Sequence, residues 1–350
     1  MDYVNFLHGG NIEEVEKKYR RKIIDFSANI NPLGLPPAIK KAICKNLDKI
    51  LHYPDFKAEK VTQKIAKYWQ IDKKNILLGN GSVEFIYLIA SAYRPKTVLI
   101  PTPTFSEYER AAKSIGSKIQ FLKLKEEENF KLDISDFDNS DILFLCNPNN
   151  PTGNLILTES RTIERMVNEL LVVDEAFMDF LPQQKKFTLI YRAVKNKKIA
   201  ALRSFTKFFA LPGLRMGYIV AHKDVINKLR QHQPPWSTNS LAQAAAEVIL
   251  SEGKYINKTY KFIEKERKFL SGQLTRIEGL KPYPTVTNFL LIKIEKSRLT
   301  SKSLRNALIK KGLLIRDCAN FRSLNDKYIR VAVRSHEENL KLLTAIKGVL

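Results

Sequence analysis

The sequence predicts an α/β fold, a largely parallel sheet followed by a smaller α+β unit. Three observations carry this. Short apolar runs of strand length alternate with helical periodicity up to about residue 235. The break "QPPWS" (233–237) is followed by a long helical stretch and then by mixed strands and helices, which sets a domain boundary there. The polar punctuation follows the apolar runs: "CNPNNPTG" after one, "DEAF" closing another, "RSFTKFF" leaving a third. In open α/β sheets ligands sit at such carboxyl ends of strands.

Residues 38–50 have helical periodicity, which Pro54 ends. "GNGSVEFIYLIASAY" (79–93) reads as a Gly-rich turn opening an apolar helix. Strand-like runs follow at 96–101, 119–124 and 141–146, and the spacing predicts a helix over 158–169. "LLVVDEAF" (170–177) reads as a buried strand ending in two carboxylates, with further strands at 198–205 and 217–221. Helices are expected over 239–251 and 255–276. Then come a strand at 288–294, a helix near 301–311, strands at 313–316 and 328–334, and a final helix.

The 350-residue chain is 44% hydrophobic, which suits a globular protein with a substantial core. No apolar run approaches the ~20 residues of a membrane helix, and "MDYVNFLHGGNIEEVEKKYR" does not read as a signal peptide. Cys44, Cys146 and Cys318 are too scattered for a disulfide framework, and the five histidines do not cluster as metal ligands. A reduced, cytoplasmic protein without a structural metal is the expectation. The net charge of +23 is the outlier. It is compatible with a nucleic-acid face or with a field that attracts small anions. However, the lysines are spread along the chain and mixed with glutamates, as in "KLKEEENFKL", and no nucleic-acid-binding motif is present. A solvated Lys-rich surface is the expectation, with neither nucleic acid nor membrane as partner.

The punctuated positions offer what a phosphorylated pyridine aldehyde would need. Lys207 in "FTKFF" is an amine among aromatic groups, where desolvation favours its neutral, nucleophilic form. Ser204 and Thr206 supply hydroxyls, and Arg215 supplies a planar fork suited to phosphate. The Pro212–Gly213 turn is expected to fold Arg215 back toward Lys207. "GNGS" (79–82) offers backbone N–H groups at a helix start. Asp174 ends a buried strand, where it needs a cationic or hydrogen-bonding partner, and Asn150 can donate to a phenolate oxygen. Taken singly, each is also compatible with a surface lysine, a tight turn or a helix cap.

In order and spacing, "GNGSVE", "PTPTFSEY", "CNPNNPTG", "DEAF" and "SFTKFFALPGLRMGY" resemble the fold-type I pyridoxal-phosphate enzymes of the aspartate aminotransferase superfamily, from about residue 8 to the C-terminus. The resemblance implies a large domain over 38–235 with a mostly parallel seven-stranded sheet. It also implies a small α+β domain over 236–350, joined by an N-terminal arm, 1–37. It implies pyridoxal 5'-phosphate carried by Lys207, with Asp174 at the pyridine nitrogen. Gly81, Ser82, Ser204 and Arg215 would hold the phosphate, Tyr108 would stack on the ring, and Tyr53 would reach the cofactor of the other subunit of a homodimer.

Within the superfamily two families compete, histidinol-phosphate aminotransferases and the threonine-phosphate decarboxylases of cobalamin biosynthesis. "HGGN", "DFSANINPLGLPP", "PWSTNSLAQAAAE", "LLIRDCANF" and "YIRVAVRS" resemble the decarboxylases. So does Phe177, where many aminotransferases carry Tyr, which leaves Asn150 as the phenolate's partner. This implies a small phosphorylated amino acid as substrate, met by His8, Gly9, Asn29, Asn150, Arg316 and Arg330. The reaction implied is decarboxylation of L-threonine O-3-phosphate to (R)-1-aminopropan-2-yl phosphate, with histidinol-phosphate amino transfer as the alternative. On residue pattern alone, His8 and Arg316 also read as surface groups. Arg330 points away from the apolar side of its strand, toward either solvent or ligand.

Overall fold

The computed structural model describes residues 8–133, 139–157, 163–296 and 298–350. Among the described residues thirteen strands follow in chain order: β1 Ile24–Asp25, β2 Ile76–Gly79, β3 Thr97–Thr102, β4 Lys118–Lys123, β5 Ser140–Cys146, β6 Val167–Asp174, β7 Ile199–Ser204, β8 Gly217–Ala221, β9 Leu280–Pro282, β10 Phe289–Ile294, β11 Leu313–Leu314, β12 Arg316–Asp317 and β13 Tyr328–Ala332.

Seven of them form one sheet in the order β2-β8-β7-β6-β5-β3-β4. β4, β3, β5, β6 and β7 are mutually parallel, while β8 runs antiparallel to both β7 and β2. β5 and β6 are almost wholly buried, as strands covered on both faces should be. This direction pattern builds the site. The carboxyl ends of β2, β3, β5, β6 and β7 all reach one edge of the sheet, so the residues after Gly79, Thr102, Cys146, Asp174 and Ser204 meet there.

β12-β13-β10-β9 form a second, antiparallel sheet. β1 pairs in parallel with β11, and Ala332 N–H then donates to the Phe26 carbonyl at 2.8 Å. The segment after β1 is thereby laid beside β13. The helix Gly253–Thr275 packs on the second sheet through Ile263, Leu270 and Leu274, which recur on one face. No described helix is long and apolar enough to cross a membrane.

Several expected elements differ. Of the helix expected over 158–169, residues 158–162 lie outside the described residues, and Ile163–Met166 is a single 3-10 turn. β6 begins at Val167, because "VNELLVVD" pairs along β5 and β7 and the ladder outweighs local helical periodicity. It stops at Asp174, so Glu175 to Phe177 lie beyond the strand. The first long helix ends at Lys45, with a 3-10 turn at Leu47–Leu51 instead of helix to residue 50. The run 313–316 is not one strand: β11 joins β1, whereas β12 joins the second sheet.

Candidate active site

Lys207 follows β7 and borders the cleft at the carboxyl edge of the large sheet. Its pKa is lowered to about 8, chiefly by burial and then by the nearby positive charges of Arg215 and Arg330, against the pull of Asp174. A substantial fraction of the amine is therefore neutral near pH 8. Its neighbours Phe205, Phe208 and Phe209 are buried and pack with Tyr218 and Tyr255, which anchors the loop.

Arg215 returns to the same cleft through a 3-10 turn at Pro212–Leu214 and a left-handed backbone, φ 57°. Its guanidinium donates to the Pro212 carbonyl at 3.2 Å. Ser82 starts the helix Ser82–Tyr93 and borders the cleft with Ser204 and Thr206, whose hydroxyls lie 2.8 Å apart. Gly81 has φ +80°, and a Cβ there would lie 2.5 Å from the Arg215 guanidinium. Glycine at 81 lets Arg215 close over the helix start. A helix N-terminus, three hydroxyls and one guanidinium form an anion cradle.

Asp174 is buried at the end of β6. Its Oδ2 accepts from the Tyr108 hydroxyl at 2.8 Å and its Oδ1 from the Ala176 N–H at 3.0 Å. Burial pushes its pKa up, opposed by these two donors and by Lys207. Tyr108 was expected to stack on the cofactor ring. The structure corrects this. Tyr108 is fully buried behind the cleft, its ring stacked on Phe144 with centroids 5.4 Å apart. Phe105, which precedes the helix Glu107–Ser114, lines the cleft instead. The sequence signal was the same "PTFSEY" run: the helix start turns Tyr108 inward and leaves Phe105 at the strand end.

The second half of the site comes from the smaller sheet and the segment after β1. Arg316 and Arg330 are register partners on β12 and β13, both buried and both bordering the cleft. Arg330 donates to Asn150 Oδ1 and, at 2.7 Å, to the Ser27 carbonyl. A guanidinium only donates, so Asn150 must present its oxygen to Arg330 and has its amide nitrogen left for the cleft. Burial holds the Arg330 pKa down at about 10, with Arg316 pushing the same way and Cys318 and Asp25 opposing. Arg316 donates to Asn320 Oδ1 at 2.6 Å, and its guanidinium centre lies 5.2 Å from the Phe321 ring centroid. Asn29 is 4% exposed, and its Oδ1 is buried with no hydrogen-bond partner. His8 and Gly9 complete this wall. Phe177 brings an apolar edge where a hydroxyl would otherwise stand, and packs on Phe289. Tyr53 lies outside the cleft, 79% exposed and stacked on Trp236 at 4.3 Å.

These residues fit pyridoxal 5'-phosphate. The anion cradle matches its phosphate. A low-pKa lysine faces its aldehyde chemistry. A buried carboxylate held at two points can balance a protonated ring nitrogen, and the orphaned Asn29 oxygen marks a polar position awaiting a ligand. Sequence reasoning missed Phe105, Ser27 and Phe321, which enter the cleft through the meeting of distant segments.

Comparison with known proteins agrees with this geometry. Residues 21–346 match the family Aminotransferase class I and II. Threonine-phosphate decarboxylase of Salmonella typhimurium is 38% identical, covering 100% of this chain and 98% of that protein. Histidinol-phosphate aminotransferase from Clostridium acetobutylicum superposes with a TM-score of 0.85 at 32% identity, covering 93% of this chain and 99% of that one. L-threonine-O-3-phosphate decarboxylase from Porphyromonas gingivalis superposes at 0.82 with 30% identity and the same coverage of 93% and 99%. With a family match that spans nearly the whole chain and a cleft whose donors fit the family's cofactor, the chain belongs to the class I and II aminotransferase family and is a pyridoxal 5'-phosphate-dependent enzyme.

Proposed function

We propose that this enzyme decarboxylates L-threonine O-3-phosphate, releasing CO2 and leaving (R)-1-aminopropan-2-yl phosphate. The observation that carries this reading is the Arg316–Arg330 pair, two buried guanidiniums on facing strands in the cleft that holds Lys207. Two fixed cations suit a substrate with two anionic ends, a carboxylate and a phosphate. The likeness along the whole chain to a threonine-phosphate decarboxylase supports it further.

When bound, the cofactor supplies a conjugated electron sink for the charge left at the substrate's Cα. The protein's share is orientation. The anion-binding side chains must therefore present the substrate's carboxylate, rather than its hydrogen, as the group to be lost from Cα. Arg316, Arg330, His8 and Asn29 hold the two anionic ends. Asp174, oriented by Tyr108 and the Ala176 N–H, would balance positive charge at the ring nitrogen. Ser82, Ser204 and Arg215 would hold the cofactor's phosphate, and Phe105 would lie against its ring. After CO2 leaves, Lys207 returns a proton to Cα.

The test is incubation of purified holoenzyme with L-threonine O-3-phosphate, measuring CO2 and 1-aminopropan-2-yl phosphate. No CO2 from enzyme with intact bound cofactor ends this reading. Amino transfer from histidinol phosphate to 2-oxoglutarate would replace it with the aminotransferase reading, which the likeness to such enzymes favours.

A homodimer is part of the proposal. Leu47, Ile50, Leu51, Tyr53 and Phe56 expose large apolar groups along one segment, beside Trp236. Such a patch is a docking surface by composition, and a second copy would let Tyr53 reach its partner's cofactor phosphate. Light scattering should give twice the chain mass, and a monomer at working concentration would remove this part.

A further inference from the structure

Glu107 is a buried carboxylate beside a region that carries Lys302, Arg305 and Arg316 as well as Asp317. It is 5% exposed and sits behind the cleft wall in the first turn of the helix Glu107–Ser114. Its Oε1 accepts from His8 Nε2 at 2.7 Å and from Arg110 at 2.9 Å, and its Oε2 accepts from the Tyr87 hydroxyl at 2.6 Å. His8 does border the cleft, with the Phe105 ring 5.4 Å away.

We propose that Glu107 is a positioning residue. It turns Nε2 of His8 toward the protein, so that Nδ1 meets the substrate's phosphate and the ring takes up a proton as phosphate binds. This rests on the phosphorylated substrate proposed above.

The chemistry follows from donors and acceptors. Burial raises the pKa of Glu107, but the hydrogen bonds from His8, Tyr87 and Arg110 outweigh it and hold the group at about 2. Glu107 is thus an anion at any working pH and can only accept, which puts a hydrogen on Nε2 of His8. Nδ1 is then the ring atom left for a ligand. The dianion of a phosphate monoester has no P–OH and offers acceptors alone, so Nδ1 must carry a hydrogen too, which makes the ring an imidazolium between two anions. Other charges share this region: Arg110 on the helix of Glu107, Arg316 and Asp317 on β12, and Lys302 and Arg305 on the helix Ser301–Lys310. Arg316, Lys302 and Arg305 favour an anionic ligand and oppose proton uptake by His8, so the carboxylate of Glu107 is what makes that uptake affordable.

The experiment is calorimetric titration of holoenzyme with 1-aminopropan-2-yl phosphate and, separately, with inorganic phosphate, in two pH 8 buffers of different ionisation enthalpy. Wild type should take up a fraction of a proton on binding the monoester. Glu107→Gln should lose that uptake and weaken both ligands about tenfold, the scale of one charge-assisted hydrogen bond, with kcat moved less than about threefold. His8→Gln should lose the same uptake and weaken both ligands at least as much, and the double variant should bind no worse than His8→Gln alone. Tyr87→Phe removes a donor from Glu107 on the side away from His8. It should lower Tm and leave both Kd values within about twofold, as expected for a structural bond. The proposal is overturned if Glu107→Gln keeps the wild-type Kd and proton uptake. It is also overturned if Glu107→Gln and Tyr87→Phe weaken binding in step with their Tm, or if wild type does not bind inorganic phosphate. If no CO2 is formed from threonine phosphate, the functional reading falls while the inorganic-phosphate titration still decides the role of Glu107.

Discussion

Tyr108 holds Asp174 from behind the cleft, its hydroxyl 2.8 Å from Oδ2 while its ring stays packed on Phe144. The carboxylate at the bottom of the site is therefore fixed by a fully buried residue that does not line the cleft. Burial alone would drive Asp174 toward its neutral acid, and the Tyr108 hydroxyl is the largest opposing influence.

Tyr108→Phe should therefore raise the pKa of Asp174 further. The sign is clear: losing a donor to the ionised form favours the protonated form. The acid limb of the kcat/KM profile should move to higher pH. Cofactor affinity should fall about 10- to 100-fold, for a hydrogen bond to a charged group worth about 1.5–3 kcal/mol. An unshifted acid limb would show that Asp174 keeps its charge by other means.

Lys207, with a pKa of about 8, should make apo-protein react with pyridoxal 5'-phosphate at a rate that climbs as pH rises through about 8. The neutral amine is the nucleophile, and an unperturbed lysine would climb through about 10.4 instead. Arg215→Gln removes a positive neighbour, so the midpoint should move up. Lys207→Ala should abolish the imine absorbance, and its survival would assign the reaction to another lysine.

Gly81→Ala should loosen the anion cradle without unfolding the protein. The new methyl meets a positive-φ backbone and lies 2.5 Å from the Arg215 guanidinium, which must swing away. Cofactor retention in dialysis should drop by at least about tenfold, consistent with losing one charged contact to phosphate. Gly116→Ala is the comparison, since it shares the positive φ and meets open space. Equal loss in both variants would mean that backbone strain, not Arg215, is responsible.

The other side of β7 carries a stability test. Arg203 is fully buried and donates to Glu175 at 3.0 Å, and also to Asp179 and Gln184. Arg203→Met leaves two carboxylates without their cation, which should cost about 3–5 kcal/mol in urea unfolding. A loss below about 1 kcal/mol would mean that the carboxylates are satisfied without Arg203.

The large sheet was legible because its strands are apolar runs of the right length and because polar residues mark their carboxyl ends. Lys207, Asp174 and Ser204 could be placed on that basis alone, since each sits within a few residues of a recognisable strand end. Tyr108 and Phe105 were not separable that way. Three residues apart, their directions are set by where a helix begins, and helix boundaries are weakly encoded. Arg330 was ambiguous for a different reason. Strand alternation says which face a side chain takes, not what covers that face, and here the segment after β1 covers it through a pairing of residues 24–25 with 313–314. The helix expected over 158–169 fails in its described part because residues 167–169 belong to β6, whose register with β5 begins at Val167, a non-local effect that local periodicity does not contain.

Arg330 and Arg316 should respond differently to lysine. Both are buried in one cleft, but Arg330 spends its fork on Asn150 and the Ser27 carbonyl, whereas Arg316 reaches Asn320. Lysine keeps the charge and loses the planar fork, and a buried ammonium sheds its proton more readily. Arg330→Lys should release the Asn150 amide from its fixed orientation. It should therefore alter the absorbance of bound cofactor as well as lower kcat/KM by about 10²-fold or more, the usual scale for a misplaced positioning group. Arg316→Lys should raise KM and leave the resting spectrum unchanged. Spectra and steady-state kinetics on both variants separate the two. A perturbed spectrum in Arg316→Lys with a normal one in Arg330→Lys would reverse the assignment and detach Asn150 from the cofactor.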